Sequence, residues 1–340
     1  MNTPDPDDTE APEEGPNLKF AAIASTVLLS VVLIAVLYLR SSQHLAPESS
    51  VVASIAPLHS LVSGVMQGVD TPVLLLPAGS SPHAHQLSPT EAEAFYRAKV
   101  IMWVDPQVET VLPRMIDHLP NHVHLLQVGS LKGLTRLPAR RGGLWETPAE
   151  AEEPVDEAHQ ETDHGHDADH DPHVWLDPRN AIAWVEAIAT GLASIDEENA
   201  ARYMANAEAL TARLRTLDAE LGERLAPVAD VPYLVYHDAY QYLEARYGLS
   251  PVGAFTLSAD RPVNAQRYAK LRELVQRGEV ACLFVEPQFP PQQAERLVAE
   301  SGVRLAALDP LGSGLAAGPD LYFTMMQRLG DALVRCLADR

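Results

Sequence analysis

Leu210-Thr211-Ala212-Arg213-Leu214-Arg215-Thr216-Leu217-Asp218-Ala219-Glu220-Leu221-Gly222-Glu223-Arg224-Leu225 decides the architecture of this 340-residue chain. Its leucines step by four, three, four and four, which lines them along one face of a helix while charged residues cover the remainder. The polar-surfaced pattern reaches back to Asp196, and Pro227 stops it, because proline has no N–H for a further helical turn. A helix of ~30 residues would be about 45 Å long, enough to run along a whole molecule and join two lobes. The stripe therefore predicts a rigid connector over 196–227.

Outward from that connector, short apolar runs alternate with helical patterns on both sides. Before it, Val51–Ala56, Val73–Leu76, Val100–Val104 and His124–Val128 read as buried strands. Helices are expected from Leu58 to Val65, Glu91 to Ala98 and Val108 to Leu119, and again where Ala181, Ile182, Val185, Ile188, Ala189 and Leu192 recur at helical spacing. After it, Tyr233–Tyr236, Val252–Phe255, Ala281–Val285 and Val303–Leu308 read as strands. Helices near Tyr240–Tyr247, Ala265–Arg277, Gln292–Ser301 and Tyr322–Leu337 separate them. The order β-α-β-α implies parallel sheets. The fold class is α/β: two lobes, 51–195 and 228–340, each with a mainly parallel sheet flanked by helices, joined by one long helix. Between Gly129 and Pro172 no periodic apolar face exists, and no structure is assigned there.

The formal charge of −21 is unevenly spread. Residues 1–17 read as a disordered tail with six acids, and Glu146–Asp171 holds eleven, neither with a Lys or Arg. The remainder is mildly acidic and has no basic patch, which excludes nucleic acid as a partner and favours cations. From Ala21 to Leu39 no charge interrupts an apolar stretch flanked by Lys19 and Arg40, long enough to span a ~30 Å hydrocarbon core. Residues 18–40 are read as a membrane-spanning signal anchor or signal sequence; the acid-led start and the lack of a good small-residue cleavage site favour the anchor. The two cysteines, Cys282 and Cys336, form an even pair in an exported chain, which suggests one disulfide and leaves two buried thiols as the alternative.

Ligands of open α/β sheets gather at strand ends. His83 follows one strand in the shaped turn Pro77-Ala78-Gly79-Ser80-Ser81-Pro82-His83, His237 directly follows another, and Asp309 follows a third. His173, in Asp171-Pro172-His173-Val174-Trp175-Leu176-Asp177-Pro178, stands where the acidic, histidine-rich loop 145–172 gives way to a packed helix. Two of these four fall in each lobe, so one ion could close a cleft between them. Three imidazoles and a carboxylate suit Zn²⁺, whereas Mn²⁺ prefers more oxygen. His85 and Glu286 are further candidates of lower rank. His159, His164, His166 and His170 supply auxiliary, weakly ordered ligands.

Five ordered phrases carry a resemblance that runs from about Val51 to the C-terminus: Leu75-Leu76-Pro77-x-Gly79-x-Ser81-x-His83, His173-Val174-Trp175-Leu176-Asp177-Pro178, Tyr236-His237-Asp238-Ala239-Tyr240, Phe284-x-Glu286-Pro287-Gln288 and Leu308-Asp309-Pro310-Leu311-Gly312. Together the chain resembles the zinc-binding solute receptors of bacterial ABC importers, the group with a helical backbone between its lobes. The resemblance implies zinc held by His83, His173 and His237, with Asp309 or a water as fourth ligand. It also implies a Cys282–Cys336 disulfide and a monomeric periplasmic receptor, here anchored to the inner membrane through residues 18–40, that delivers its ion to a membrane permease. Similar manganese receptors usually place a carboxylate at the third position, so His237 points to zinc. Two features depart from the pattern: Pro82 stands where some relatives carry an acid, and an acid-led apolar segment replaces the usual cleaved signal. Rival readings are a zinc hydrolase with a metal-bound water and a manganese-binding receptor or adhesin. No His-Glu-x-x-His, Gly-x-Ser-x-Gly or phosphate-cradling glycine motif offers other chemistry.

Overall fold

Each apolar run becomes a parallel strand. In the N-terminal half these are β1 (Val51–Ala53), β2 (Val73–Leu74), β3 (Val100–Trp103) and β4 (His124–Gln127), in the order β2-β1-β3-β4. In the C-terminal half, β5 (Tyr233–His237), β6 (Pro251–Thr256), β7 (Cys282–Val285) and β8 (Arg304–Ala307) repeat that order as β6-β5-β7-β8. This computed structural model describes residues 49–140, 143–145, 170–256, 263, 265–299 and 301–338. The tail 1–17, the apolar stretch 18–40 and His159, His164 and His166 lie outside the described residues. Among the described residues no helix is long and apolar enough to cross a membrane.

The helices α1 (Ala56–Val65), α2 (Pro89–Arg97), α3 (Leu112–Ile116) and α4 (Pro178–Ile195) accompany the first sheet; α6 (Gln241–Tyr247), α7 (Ala265–Gln276), α8 (Gln292–Val298) and α9 (Leu321–Leu337) accompany the second. Helix α5 (Ala200–Leu225) joins them. The expected helix from Val108 to Leu119 shrinks to the five residues of α3. Pro113 lies in its first turn, where a missing N–H costs nothing, and the preceding residues fold instead around the buried Glu109. Asp177 caps α4 by accepting from the Arg179 N–H at 2.8 Å, and Pro178 fills the first helical position, which fixes where the chain turns after His173.

All five leucines of the α5 stripe are buried. The stripe is the joint of the molecule. A Cβ on Gly64 of α1 would lie 2.7 Å from Leu210, and one on Gly330 of α9 would lie 2.7 Å from Leu221, so both helices approach α5 at glycine. Helix α9 also crosses back to α1, where the Tyr322 N–H donates to Ser60 Oγ at 3.0 Å. The Cys282–Cys336 disulfide pins α9 to β7, and its loop of 54 residues is worth about 4 kcal/mol in the chain-entropy model.

Residues 134–140 and 143–145, to which the sequence assigned no structure, strap the first half onto the second. The Leu137 N–H donates to Tyr242 Oη at 3.0 Å, Gln241 Nε2 donates to the Pro138 carbonyl at 3.1 Å, and Arg140 pairs with Glu244 and, at 3.3 Å, with Asp238. Arg267 reaches the Leu144 carbonyl. On the return, Pro138 and His170 form an isolated antiparallel bridge, the Asp171 N–H donates to the Leu137 carbonyl at 2.9 Å, and the Tyr242 hydroxyl donates to the Asp171 carbonyl at 2.8 Å. The strap thereby places Asp171 and the residues after it against the second half.

Candidate metal centre

Three of the four sequence-derived site residues converge. One ligand atom from each of His83, His173 and His237 lies within 4.8 Å of the other two. The ring centroids stand 5.4 Å apart for His83–His173, 5.4 Å for His83–His237 and 5.0 Å for His173–His237. The space beside them is only about 10 Å³, bounded by Ser81, Pro82, Trp175, Glu286, Phe289 and Leu311 among others. A volume of that order is enough for one water or one ion. Two larger hollows, about 420 and 460 Å³, lie elsewhere on the second half and contain no histidine.

Each ring is oriented by an oxygen facing Nδ1. His83 Nδ1 lies 2.8 Å from the Gln107 carbonyl, which can only accept, so Nδ1 carries the hydrogen and Nε2 presents its lone pair. Thr110 Oγ1 donates to the His83 carbonyl at 2.8 Å and fixes the residue's main chain. His173 Nδ1 lies 2.7 Å from Asp171 Oδ1, which also accepts from the His173 main-chain N–H at 2.9 Å. Its Nε2 is buried without a hydrogen-bond partner, the state expected of a nitrogen reserved for a metal. His237, the last residue of the central strand β5, places Nδ1 3.5 Å from Glu286 Oε1, an ion-pair distance at which no hydrogen bond forms. A carboxylate or carbonyl behind the ring raises ligand basicity and fixes the tautomer.

Burial and charge then set the protonation. Burial holds the His173 imidazole well below 6.5, and the neighbouring His237 charge adds to this. Burial also acts to lower His237, but Glu286, Asp238 and Asp171 outweigh it and raise that ring above 6.5. Burial pushes Asp171 up to about 7 and Asp238 up to about 6, against the pull of the His173 N–H and of Arg140 on Asp171 and chiefly of Arg140 on Asp238. Arg140 thus lies among buried carboxylates of both ligand-bearing segments, with its guanidinium 4.2 Å from the centre of the Trp145 ring.

The other candidates go elsewhere. The structure does not bring Asp309 into the histidine group: its Oδ1 accepts from the Leu311 and Gly312 N–H groups at 3.1 and 3.0 Å and from Gln288 Nε2 at 3.0 Å. His85 lies 3.1 Å from Glu91, the acid of the capping box that starts α2. His170 contacts Asp105 at 3.2 Å and Arg136 at 3.0 Å. Sequence reasoning gave no role to Asp171, although its place two residues before His173 is the signal that could have found it. It also missed Arg140 and Gln107, which act through contacts distant in sequence.

Two parallel α/β halves that bring three imidazoles together beside an ion-sized space define a two-lobed receptor for a single cation. The chain belongs to the family described as zinc-uptake complex component A, periplasmic, whose model matches residues 51–336. It is 39% identical over 311 residues to the high-affinity zinc uptake system protein ZnuA of Brucella suis biovar 1 (strain 1330), covering 86% of this chain and 92% of that one. To the Yersinia pestis protein of the same description it is 30% identical over 328 residues, covering 94% and 98%. A crystal structure of ZnuA has the same fold, with a TM-score of 0.70 at 21% identity, over 84% of this chain and 98% of that one.

Proposed function

We propose that this chain captures Zn²⁺ outside the cytoplasmic membrane through His83, His173 and His237 and hands it to an ABC permease. The observation that carries the reading is the trio of imidazole ligand atoms within 4.8 Å beside a cavity of about 10 Å³. Neutral nitrogen ligands suit zinc, and an all-nitrogen protein set is a poor match for manganese, which favours oxygen. A solvent molecule completes the coordination. The role is binding and release with no bond made or broken, as the family of zinc-uptake receptors supports.

The charge distribution suits capture. The three imidazoles are neutral ligands, while Asp171 and Glu286 stand behind two of them, so the ion's charge is balanced one bond further out. Segments 51–195 and 228–340 act as lobes on the connector 196–227, which favours small adjustments of the ligand-bearing loops over wide hinge closure. Residues 18–40 anchor a monomeric receptor at the inner membrane. The uninterrupted apolar run supports that placement, and fractionation of cells into membrane and periplasmic contents tests it.

Calorimetric titration of the purified protein tests the main reading. One tight zinc per chain is expected, and X-ray absorption should count three imidazole nitrogens; a binding curve unaltered by His173→Ala would remove the site.

A further inference from the structure

The loop Leu308–Ser313 touches all three segments that carry the histidines. Tyr240 Oη, three residues beyond His237, donates to the Leu308 carbonyl at 3.1 Å. Trp175 Nε1, two residues beyond His173, donates to the Pro310 carbonyl at 2.8 Å. Ser313 Oγ donates to the carbonyl of Ala78, in the turn that leads to His83, at 2.5 Å. Ala78 belongs to the first half and Ser313 to the second, so this last contact closes the mouth of the cleft.

Asp309 holds that loop in shape. One carboxylate oxygen accepts from the Leu311 and Gly312 N–H groups and from Gln288 Nε2, and lies 3.4 Å from Ser313 Oγ. Gly312 has φ of +74°, a left-handed turn that returns the chain toward the carboxylate and that other residues adopt only under strain. Counting hydrogens fixes the direction of the chain of bonds. The Gln288 amide has two, which go to its nearer acceptors, Asp309 at 3.0 Å and Ser313 Oγ at 2.8 Å, rather than to the Ala78 carbonyl at 3.5 Å, and the single Ser313 hydrogen then goes to Ala78. Carboxylate, amide, hydroxyl and carbonyl form one polarised relay across the cleft mouth.

We propose that Asp309 is a positioning residue: it acts on the ion only through the clasp Gln288–Ser313–Ala78, which holds the His83 turn closed and slows zinc release. The proposal rests on the three-histidine reading above. It assigns Asp309 a different task from a fourth ligand, and the two tasks are separable by experiment.

Zinc release into excess chelator is followed by stopped flow, and the visible spectrum of the Co²⁺-loaded protein reports the coordination sphere. Ser313→Ala and Gln288→Ala should each speed release about three- to tenfold, the effect of one net hydrogen bond, with association rate and cobalt spectrum unchanged. Asp309→Asn keeps an accepting oxygen and should fall between wild type and Asp309→Ala, again with the wild-type cobalt spectrum. A changed spectrum in Asp309→Asn would make Asp309 a ligand and overturn the proposal. Unaltered release in both Ser313→Ala and Gln288→Ala would also overturn it, and these two conclusions stand even where Asp309→Ala fails to fold. A His173→Ala variant that binds zinc as tightly as wild type would instead bring down the underlying site, and the clasp with it.

Discussion

The two sheets are built alike and end differently. Both place their first strand second in the order, all parallel, with an acid one or two residues beyond the third strand: Asp105 after β3 and Glu286 after β7. In the C-terminal half the first strand itself ends in His237, facing Glu286. In the N-terminal half the first strand runs into Ser54, whose hydroxyl donates to the buried Glu109. Glu109 also accepts from the Val104 and Asp105 N–H groups at 3.0 and 2.9 Å. One half spends its central strand end on the ion; the other uses the same position for a carboxylate that stitches its own loops, and presents His83 from the turn after its edge strand. A repeated scaffold therefore does not imply repeated ligands, because the strand end fixes a position and the residue there decides its chemistry.

Only the C-terminal half carries a covalent pin. Replacing both Cys282 and Cys336 by Ala should cost about 4 kcal/mol in denaturant unfolding, with amide exchange rising first in β7 and β8. Earlier opening of β1 and β3 would show the pin to be irrelevant to the asymmetry. Next in size, His237→Ala and His83→Ala should each weaken zinc by more than the ~100-fold that loss of an outer partner can cost, measured by chelator competition. A large loss at one and none at the other would mean that the ion leans on a single half.

Glu109 and His237 separate the halves by pH. Burial raises Glu109 to about 7 from 4.5, so the folded state keeps its proton longer than the unfolded chain does. Its contribution to stability is full below pH 4.5 and is lost as pH rises to about 7, on the order of 3 kcal/mol. Glu109→Gln should flatten that slope in urea titrations without altering zinc affinity; an affinity change would tie Glu109 to the site. His237 behaves oppositely in readout. Its ring is raised above 6.5, so protons displace zinc as pH falls through values above 6.5, and Glu286→Gln should move the onset to lower pH. The same onset in both proteins would remove Glu286 from the account. The smallest effect belongs to the acidic tract: deleting residues 146–169 should leave the tight site unchanged while removing weak extra ions, and calorimetry that loses the tight site would place a ligand there.

The strands and the histidines were legible for the same reason: β-branched and leucine runs mark buried strands, and polar residues at their ends have one outlet, the cleft. Asp309 was not legible in the same way. A carboxylate after a strand reads identically whether it faces an ion or caps its own loop, and what decides is the return of Leu311 and Gly312 N–H groups toward it. The strap, residues 134–140 and 143–145, was invisible because its partners, Gln241, Tyr242, Glu244 and Arg267, lie about a hundred residues or more away, and a segment bonded to distant side chains needs no periodicity of its own. The helix expected through Val108 to Leu119 assumed continuous main-chain bonding that Pro113 cannot give.

Because α9 lies against α1 and accepts its place from Ser60 as well as from β7, the order of synthesis and the order of assembly cannot coincide. A chain emerging from the ribosome completes its first sheet long before residues 321–337 arrive to cover it. During export that half waits unfinished, with Ser60 of α1 lacking the Tyr322 N–H that it accepts from, and a product cut short before Leu321 leaves two incomplete halves rather than one good one. Neither half could be lifted out and grafted elsewhere as a unit.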